Sequence, residues 1–484
     1  MTLIGELLQR TEDSPDKVFL TADTEQLTYK SFGALVAAFS SYMHDHWQVR
    51  TKDRVILCFG NEADYLIAYF ACWYLGAIPV PVDTDSRATT IRSIANDAQP
   101  RCIVHSRSKA MSVEGWETRA FPAREEFAGR ASEGNVPLSL NDTALILYTS
   151  GTTGLPKGVM ISHANLLFNA RSIIEWAGMR TSDKEVTTLR LTHSFGLGHI
   201  HCYVLLGAEI RLLSSMNEIK RFFSLVEEDG VTGMPATPAM IHLLLRYHKD
   251  TFRQVCGALS YIVINTAPMP PELTLELLDA LPTTRIYMYY GLTEASRSTY
   301  MNYRECLDKL KSVGKPPEGV EIRVDPMTHE VQIKGENVMQ GYLHHSDSFL
   351  SEGWFATGDT GYLDEEGFLY INGRLKEQIN IDGLKVNPME VEEIIKKHRA
   401  VQDCIVFGLP DPIAHEKVAA VIVCKDDVVF DSKLVTDIRR MCKNDLEIYK
   451  IPKEIRQWNS IPKTDSGKPK RLEARKQWES GEGL

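Results

Sequence analysis

Apolar residues recur along this chain at two alternating periods. After Leu27-Thr28-Tyr29, the residues Phe32, Leu35, Val36 and Phe39 fall at helical spacing and predict a turn entering an amphipathic helix. Arg54 to Gly60 is short and largely apolar, as a buried strand would be; Tyr65 to Leu75 then predicts a buried helix leading to a strand at Ile78 to Val82. A helix over Thr90 to Ala98 and a strand over Arg101 to His105 continue the series, whereas Ser106 to Val136 is polar and irregular and predicts no element. The alternation resumes with strand Thr143 to Leu147, helix Leu166 to Trp176, strand Val186 to Leu191 and helix His199 to Leu206. Strand Glu209 to Leu213, helix Lys220 to Glu228, strand Gly230 to Met234 and helix Ala239 to Tyr247 come next, the last opened by Pro235-Ala236-Thr237-Pro238. Strand Tyr261 to Asn265, helix Pro271 to Leu281 and strand Arg285 to Tyr290 complete the series. Strands separated by helices imply parallel sheets with helices on their faces.

Beyond Ser312 the pieces shorten and turn β-rich: Val320 to Val324, Glu330 to Lys334, Gly353 to Thr357, Gly361 to Asp364 and Phe368 to Asn372. From Gly373-Arg374-Leu375-Lys376 a smaller α+β unit follows, with helices at Glu390 to Lys397 and Lys433 to Asn444, strands at Asp403 to Gly408 and Lys417 to Cys424, and a basic tail. The expected fold class is therefore α/β. A large N-terminal domain, 1–373, holds parallel-rich sheets packed with helices plus a β-rich subdomain from about 312 to 373; a small α+β domain, 374–484, follows.

Composition narrows the function. A chain of 484 residues exceeds what one core usually supports. A net charge of −10 argues against bulk binding of nucleic acid, which wants a basic face. The nine cysteines form no C-x-x-C, so neither a zinc ribbon nor a disulfide framework is indicated and a reducing cytoplasm fits. Glu6 interrupts the first apolar run and spoils a secretory leader. Tyr65 to Val82 is uncharged, yet Gly76, Pro79 and Pro81 break it, so a buried helix and strand are expected rather than a membrane span.

The chemistry centres on Leu147-Tyr148-Thr149-Ser150-Gly151-Thr152-Thr153-Gly154-Leu155-Pro156-Lys157-Gly158. Glycines let backbone N–H groups converge, and hydroxyls with an ammonium add donors, which suits a polyphosphate; a flexible hairpin tip is the plainer alternative. It is not the Walker pattern, because Pro156 precedes Lys157 and Gly158 follows it.

The stretch resembles the phosphate loop of the adenylate-forming (AMP-binding) superfamily of acyl-CoA synthetases, luciferases and peptide-synthetase adenylation domains. The resemblance extends, in family order, through Tyr289-Tyr290-Gly291-Leu292-Thr293-Glu294, Thr357-Gly358-Asp359, Gly373-Arg374-Leu375-Lys376, Ile381 to Pro388 and Ile461 to Lys468. It implies ATP, Mg²⁺ and a thiol, from coenzyme A or a carrier-protein phosphopantetheine, as reactants. Thr149 to Gly154 and Lys157 would hold phosphates. Thr266, Ala267, Pro268 and Tyr289 to Thr293 would border the nucleotide; Glu294 would bind Mg²⁺; Asp359, Ile371 and Arg374 would meet the adenosine. Lys468 would bridge the carboxylate and the α-phosphate. Lys376 would be the hinge about which a mobile C-terminal domain swings the Gly383 loop towards the acyl-adenylate for the thiol step. Taken singly, Asp359 also reads as a turn former, Lys468 as a solvated tail residue and Glu294 as a helix cap.

The acyl pocket is expected from His193, Ser194, Phe195, Gly196, Asn265, Thr266 and Tyr289. His193 would border the carboxylate or else be a core histidine bonded to backbone. Relatives that activate α-amino acids carry an Asp where this chain has Ser194, and a buried ammonium without a carboxylate is costly, so α-amino acids are disfavoured. Asn265-Thr266 stands where many relatives have Gly-Gly, implying a shorter or more polar pocket than a long-chain fatty acid needs. Arg297 either meets a second acid group on the substrate or pairs with Asp or Glu on the surface. The expected activity is an ATP-dependent carboxylic acid:thiol ligase acting through an acyl-AMP. The alternatives are a stand-alone enzyme loading a separate carrier protein or an amine, a non-catalytic nucleotide-binding protein, or a luciferase-like oxygenase.

Overall fold

The computed structural model describes residues 1–130, 134–150, 156–266, 269–345, 349–381, 384–411, 415–464 and 467–481. They divide into two compact units: Met1–Glu321 with Ile333–Phe355, and Ile322–Gln332 with Ala356–Leu484.

The first unit is built on an eight-stranded sheet. Its interior strands, Arg285–Tyr290, Tyr261–Ile264, Gly233–Ala236, Lys184–Thr187, Glu209–Leu212 and Val18–Ala22, run parallel in that order. Antiparallel strands Thr299–Asn302 and Glu25–Thr28 close its two edges. A second, all-parallel sheet orders Ile78–Asp83, Arg54–Phe59, Cys102–His105 and Thr118–Ala120. Both match the alternation of strands and helices in the sequence, since a helix between two strands returns the chain to start the next strand in the same direction.

The uncharged stretch from Tyr65 folds as the buried helix Ala63–Leu75, stopped by Gly76 in the left-handed conformation and followed by the strand Ile78–Asp83. Trp73 donates its indole N–H to the Ala144 carbonyl at 2.6 Å, so this helix is buried against protein. Among the described residues no helix is long and apolar enough to cross a membrane.

Several elements differ from the reading of periodicity. The strand beginning at Thr143 runs on to Ser150 and folds back antiparallel on Pro156–Ser162, which pairs in turn with Gly341–Tyr342. An apolar run specifies burial but not the direction of its partner, so this hairpin was hidden. Ser106 to Val136 contains the strand Thr118–Ala120 and a short helix, Arg124–Phe127. Helix Lys249–Cys256 is a further element. The two strands expected around Gly358 are one, Phe355–Leu363, in which Gly358 at φ 72° takes up the bend.

In the second unit, Val401–Asp411 and His415–Cys424 form a long antiparallel ribbon joined by Ile379–Ile381, Leu384–Val386 and Glu454–Gln457. Alternate residues face opposite sides. Cys404, Val406, Val418, Ala420 and Ile422 pack with Val391, Ile395 and Ile438 of the helices Pro388–Lys396 and Ser432–Asp445. Ile405, Phe407, Ala419 and Val421 pack with Trp458, Ala474 and Trp478. The tail read as merely basic thus ends in the helix Arg471–Ser480. Arg471 fastens that helix: it grips both oxygens of buried Glu392 at 2.8 and 2.9 Å, Glu377 at 2.6 Å and the Val406 carbonyl at 3.2 Å.

Two buried histidines of the first unit are kept neutral. Burial holds His163 down to about 4, against a smaller raising effect of Asp142. Burial, then the Arg297 guanidinium and His163, hold His201 down to about 3. In the unfolded chain both protonate near 6.5. Below that pH the unfolded state binds more protons, so the contribution is complete above about 6.5 and is lost as pH falls towards 4, at roughly 1.4 kcal/mol per pH unit for each histidine. Denaturant unfolding between pH 7 and 4.5 checks this: the double variant His163→Asn, His201→Asn should lose stability with falling pH markedly less steeply than the unsubstituted chain.

Candidate active site

The hairpin Thr143–Ser150 and Pro156–Ser162 sets Thr149 opposite Lys157 and Ser150 opposite Pro156, at the base of the loop predicted to hold phosphates. Gly151, Thr152, Thr153 and Gly154 lie outside the described residues. Lys157 reaches over the Tyr342 ring, its ammonium 5.1 Å from the centroid. The Tyr342 hydroxyl donates to Glu294 Oε1 at 2.9 Å, while the Glu294 backbone carbonyl accepts from Met339 N–H at 2.8 Å. An ammonium, a phenol and a carboxylate are thereby lined up beside the loop. Glu294 Oε2 has no partner among the described residues, which leaves one carboxylate oxygen able to meet a Mg²⁺ whose remaining ligands are phosphates and water. Sequence reasoning missed Tyr342, because a strand of two residues, Gly341–Tyr342, carries no periodicity to notice.

Glu294 ends a tight turn that begins at Gly291. A β-carbon at Gly291 would lie 2.5 Å from the Arg297 backbone nitrogen and 2.9 Å from the Ala295 carbonyl, so glycine is required there. Leu292 N–H donates to that same Ala295 carbonyl at 2.9 Å, closing the turn, and Tyr290 leads into it half-buried. Thr293 lines a cavity behind the turn, together with Ser194, Ser296 and Asn337.

Across the cavity stands the helix Ser194–Leu206. His193 is its N-cap residue and is exposed, so the core-histidine alternative does not hold. Gly196 lets the chain turn into the helix, since a β-carbon there would sit 2.6 Å from the Arg190 carbonyl. Phe195 meets the Tyr289 ring edge-to-face at 5.4 Å, and Asn265 Nδ2 donates to the Tyr289 carbonyl at 2.7 Å. Two of the residues expected to line the acyl pocket, Phe195 and Asn265, thus meet a third, Tyr289. Tyr289 is buried, and burial pushes its phenol up to about 12 although the Arg297 guanidinium opposes this.

Arg297 is not on the surface. It is 3% exposed, with its guanidinium 5.2 Å over the Tyr289 ring, so the surface-pair expectation is overturned. Thr266 has φ 96°, a conformation that glycine adopts freely and a β-branched residue rarely does, and its buried hydroxyl lacks a partner among the described residues. Ala267 and Pro268 lie outside the described residues.

In the second unit, Asp359 and Arg374 sit opposite each other on paired strands. Arg374 Nε meets Asp359 Oδ1 at 2.6 Å, and Arg374 Nη1 donates to the Thr357 carbonyl at 3.1 Å. Asp359 is buried and Arg374 is part-exposed, with Ile371 half-buried on the same strand, Leu369–Arg374. Lys376 lies exposed in the short 3₁₀ turn Leu375–Glu377. Lys468 is exposed on a turn in which its N–H donates to Thr464 Oγ1 at 3.0 Å and its carbonyl accepts from Thr464 N–H at 2.8 Å. Gly383 lies outside the described residues.

Comparison with known proteins places these residues in context. The AMP-binding enzyme family model matches residues 7–343, and the AMP-binding enzyme C-terminal domain matches residues 390–468. The chain is 27% identical to a feruloyl-CoA synthase of Amycolatopsis sp, over 97% of this chain and 98% of that protein. It is 28% identical to a 2-succinylbenzoate–CoA ligase of Bacillus velezensis, over 96% and 95%. Among solved structures, o-succinylbenzoate CoA synthetase from Bacillus subtilis, in complex with its acyl-adenylate intermediate, superposes with TM-score 0.86 at 26% identity over 97% of each chain. The same enzyme with ATP and magnesium ion gives TM-score 0.84 at 26% identity, over 96% of this chain and 98% of that one.

The backbone at Thr266 yields a test. Residues held in such a conformation cost on the order of 1–3 kcal/mol, and glycine gives part of that back as unfolded-chain entropy. Thr266→Gly should therefore raise unfolding stability by about 1 kcal/mol in a urea titration, whereas Thr266→Ala, which keeps a β-carbon, should not.

Proposed function

Because the chain belongs to the AMP-binding enzyme family, we propose that it joins a carboxylic acid to the thiol of coenzyme A through an acyl-adenylate, releasing pyrophosphate and then AMP. The observation that carries this reading is the alignment of Lys157, Tyr342 and Glu294 beside the loop hairpin. Attack of a carboxylate on the α-phosphate of ATP brings two anions together and builds further negative charge on the departing pyrophosphate. Thr149, with the loop that follows it, and Lys157 donate to the phosphates. Glu294, held by the Tyr342 hydroxyl, presents its other oxygen to Mg²⁺, which when bound would neutralise charge on the phosphates. Asp359 accepts from the ribose hydroxyls, and Arg374 orients it.

Lys468 has the task of neutralising the substrate carboxylate and the α-phosphate as a compact point charge. Residues 374–484 serve as the lid and Lys376 as its hinge, absorbing the backbone rotation that withdraws Lys468 before the thiol attacks. The protein side chains supply no nucleophile in this scheme. Most of the described cysteines are buried, and burial raises the thiols of Cys58, Cys72, Cys102, Cys202, Cys256, Cys404 and Cys442 away from the reactive thiolate, that of Cys58 being pushed up to about 12. The reaction fits a reducing cytoplasm.

Pyrophosphate release across aryl, short, medium and dicarboxylic acids, with and without coenzyme A, tests the reading. A thioester of coenzyme A is expected; adenylate formation without that ester would transfer the reading to a carrier protein or an amine acceptor. Lys468→Ala should lower acid-dependent ATP–pyrophosphate exchange roughly 100-fold or more, while thioester formation from supplied acyl-adenylate survives. Equal loss of both halves would reject the role given to Lys468. Tyr342→Phe should raise the Mg²⁺ concentration needed for half-maximal activity roughly 10-fold, as loss of a group orienting a metal ligand does; an unchanged Mg²⁺ titration would remove Tyr342 from the metal's surroundings.

A further inference from the structure

Lys468 stands on a loop whose two limbs are joined by hydrogen bonds. Lys470 N–H donates to the Pro462 carbonyl at 2.9 Å, and Lys463 faces Pro469 in an antiparallel bridge. Thr464 gives its N–H to the Lys468 carbonyl at 2.8 Å and accepts the Lys468 N–H on its hydroxyl at 3.0 Å. The foot of this stem is rooted in the second unit on both sides. Ile461 packs with Ile405, Phe407 and Trp478, and Arg471 grips Glu392. Both roots lie below the first rung, so they fix where the loop leaves the domain and not how the stem tilts. Between foot and tip, Lys463 Nζ meets Asp403 Oδ2 at 2.6 Å. Asp403 lies on the ribbon strand Val401–Asp411, and its other oxygen, Oδ1, is held by Lys396 Nζ at 2.9 Å and by the Cys404 N–H at 2.8 Å. Lys396 comes from the last turn of the helix Pro388–Lys396, so the carboxylate is oriented from two elements before Lys463 reaches it. Burial disfavours its charge, yet the ammonium groups of Lys396 and Lys463 hold the Asp403 carboxyl below its ordinary range.

Such a pair does little for stability, because the Lys463 side chain is 43% exposed and exposed ion pairs contribute marginally. Its geometric consequence is larger, since Lys463 adjoins Thr464, the residue that holds the Lys468 backbone from both sides. We infer that Asp403 and Lys463 are positioning residues for Lys468: their ion pair pins the stem against the ribbon and so sets where the lid domain presents the Lys468 ammonium. This rests on the role proposed for Lys468 in adenylation and adds the residues through which the domain exercises it. Neither Asp403 nor Lys463 touches a reactant in this scheme. They act through placement, and a misplacement of about 1 Å in a group that acts on reacting atoms costs up to ~100-fold in rate. The thiol step, from which Lys468 is withdrawn, makes no demand on the pair.

Measuring the two half-reactions separately in the full-length chain tests it. One assay is ATP–pyrophosphate exchange with the most active of the aryl, short, medium and dicarboxylic acids; the other is thioester formation from coenzyme A and the supplied adenylate of that acid. Lys463→Met and Asp403→Asn should each slow exchange roughly 10-fold and leave thioester formation largely unchanged. Lys463→Arg, which still reaches the carboxylate, should keep exchange near that of the unsubstituted chain. Added to Lys468→Ala, Lys463→Met should slow exchange no further, because no ammonium is left to place. Should Asp403→Asn fail to fold, Lys463→Met, at an exposed position, carries the comparison. Exchange unmoved by Lys463→Met, equal loss of both half-reactions, or a further drop on top of Lys468→Ala would overturn the inference and leave Lys468 in its role. Exchange that survives Lys468→Ala alone, or no exchange with any acid, would overturn the parent reading as well.

Discussion

The Arg297 guanidinium, on the loop from Gly291 to Arg297, packs so closely against the helix Ser194–Leu206 that Gly198 has no room for a β-carbon. That approach governs the rest of the site. It sets the Arg297 guanidinium against the first carbonyls of the helix, brings Phe195 to the edge of Tyr289 and leaves the cavity between them. A methyl group at Gly198 would displace that guanidinium, and tightly packed interiors relax such insertions only in part.

One short loop carries both Glu294 and Arg297. Glu294 points its carboxylate at Tyr342, beside the hairpin, while Arg297 turns the opposite charge into the cavity. The turn closed by Leu292 and Ala295 fixes these two side chains relative to each other. The isolated carboxylate at Glu294 also suits a reaction in which the metal arrives with the nucleotide, since a site with several protein carboxylates would hold Mg²⁺ in the absence of phosphates.

Most of the fold was legible because parallel sheets and their helices write two clean periods into the chain. What escaped was information that periodicity does not hold. The hairpin after Thr143 depends on pairing direction, the strand at Gly341–Tyr342 is too short to show a period, and Phe355–Leu363 bends at a glycine that reads as a break. In the site, Glu294 and the residues around Tyr289 were readable from their motif. Arg297 was not, since an arginine in a polar stretch is ordinarily solvated and only tertiary packing against the helix start buries it. Tyr342 lies far along the chain from both Lys157 and Glu294, and only the fold brings the three together.

Arg471 joins stretches of the second unit that are remote in sequence: Glu377 next to the hinge, Glu392 in the helix Pro388–Lys396 and the ribbon at Val406. Burial raises the Glu392 carboxyl above its ordinary range even with Arg471 opposing it. During synthesis the ribosome delivers this guanidinium after every other strand and helix of the unit has emerged. Until then Glu392 has only the Val406 N–H and the attraction of Lys396 to offset its burial, so the latch that Arg471 supplies closes only when the last helix docks.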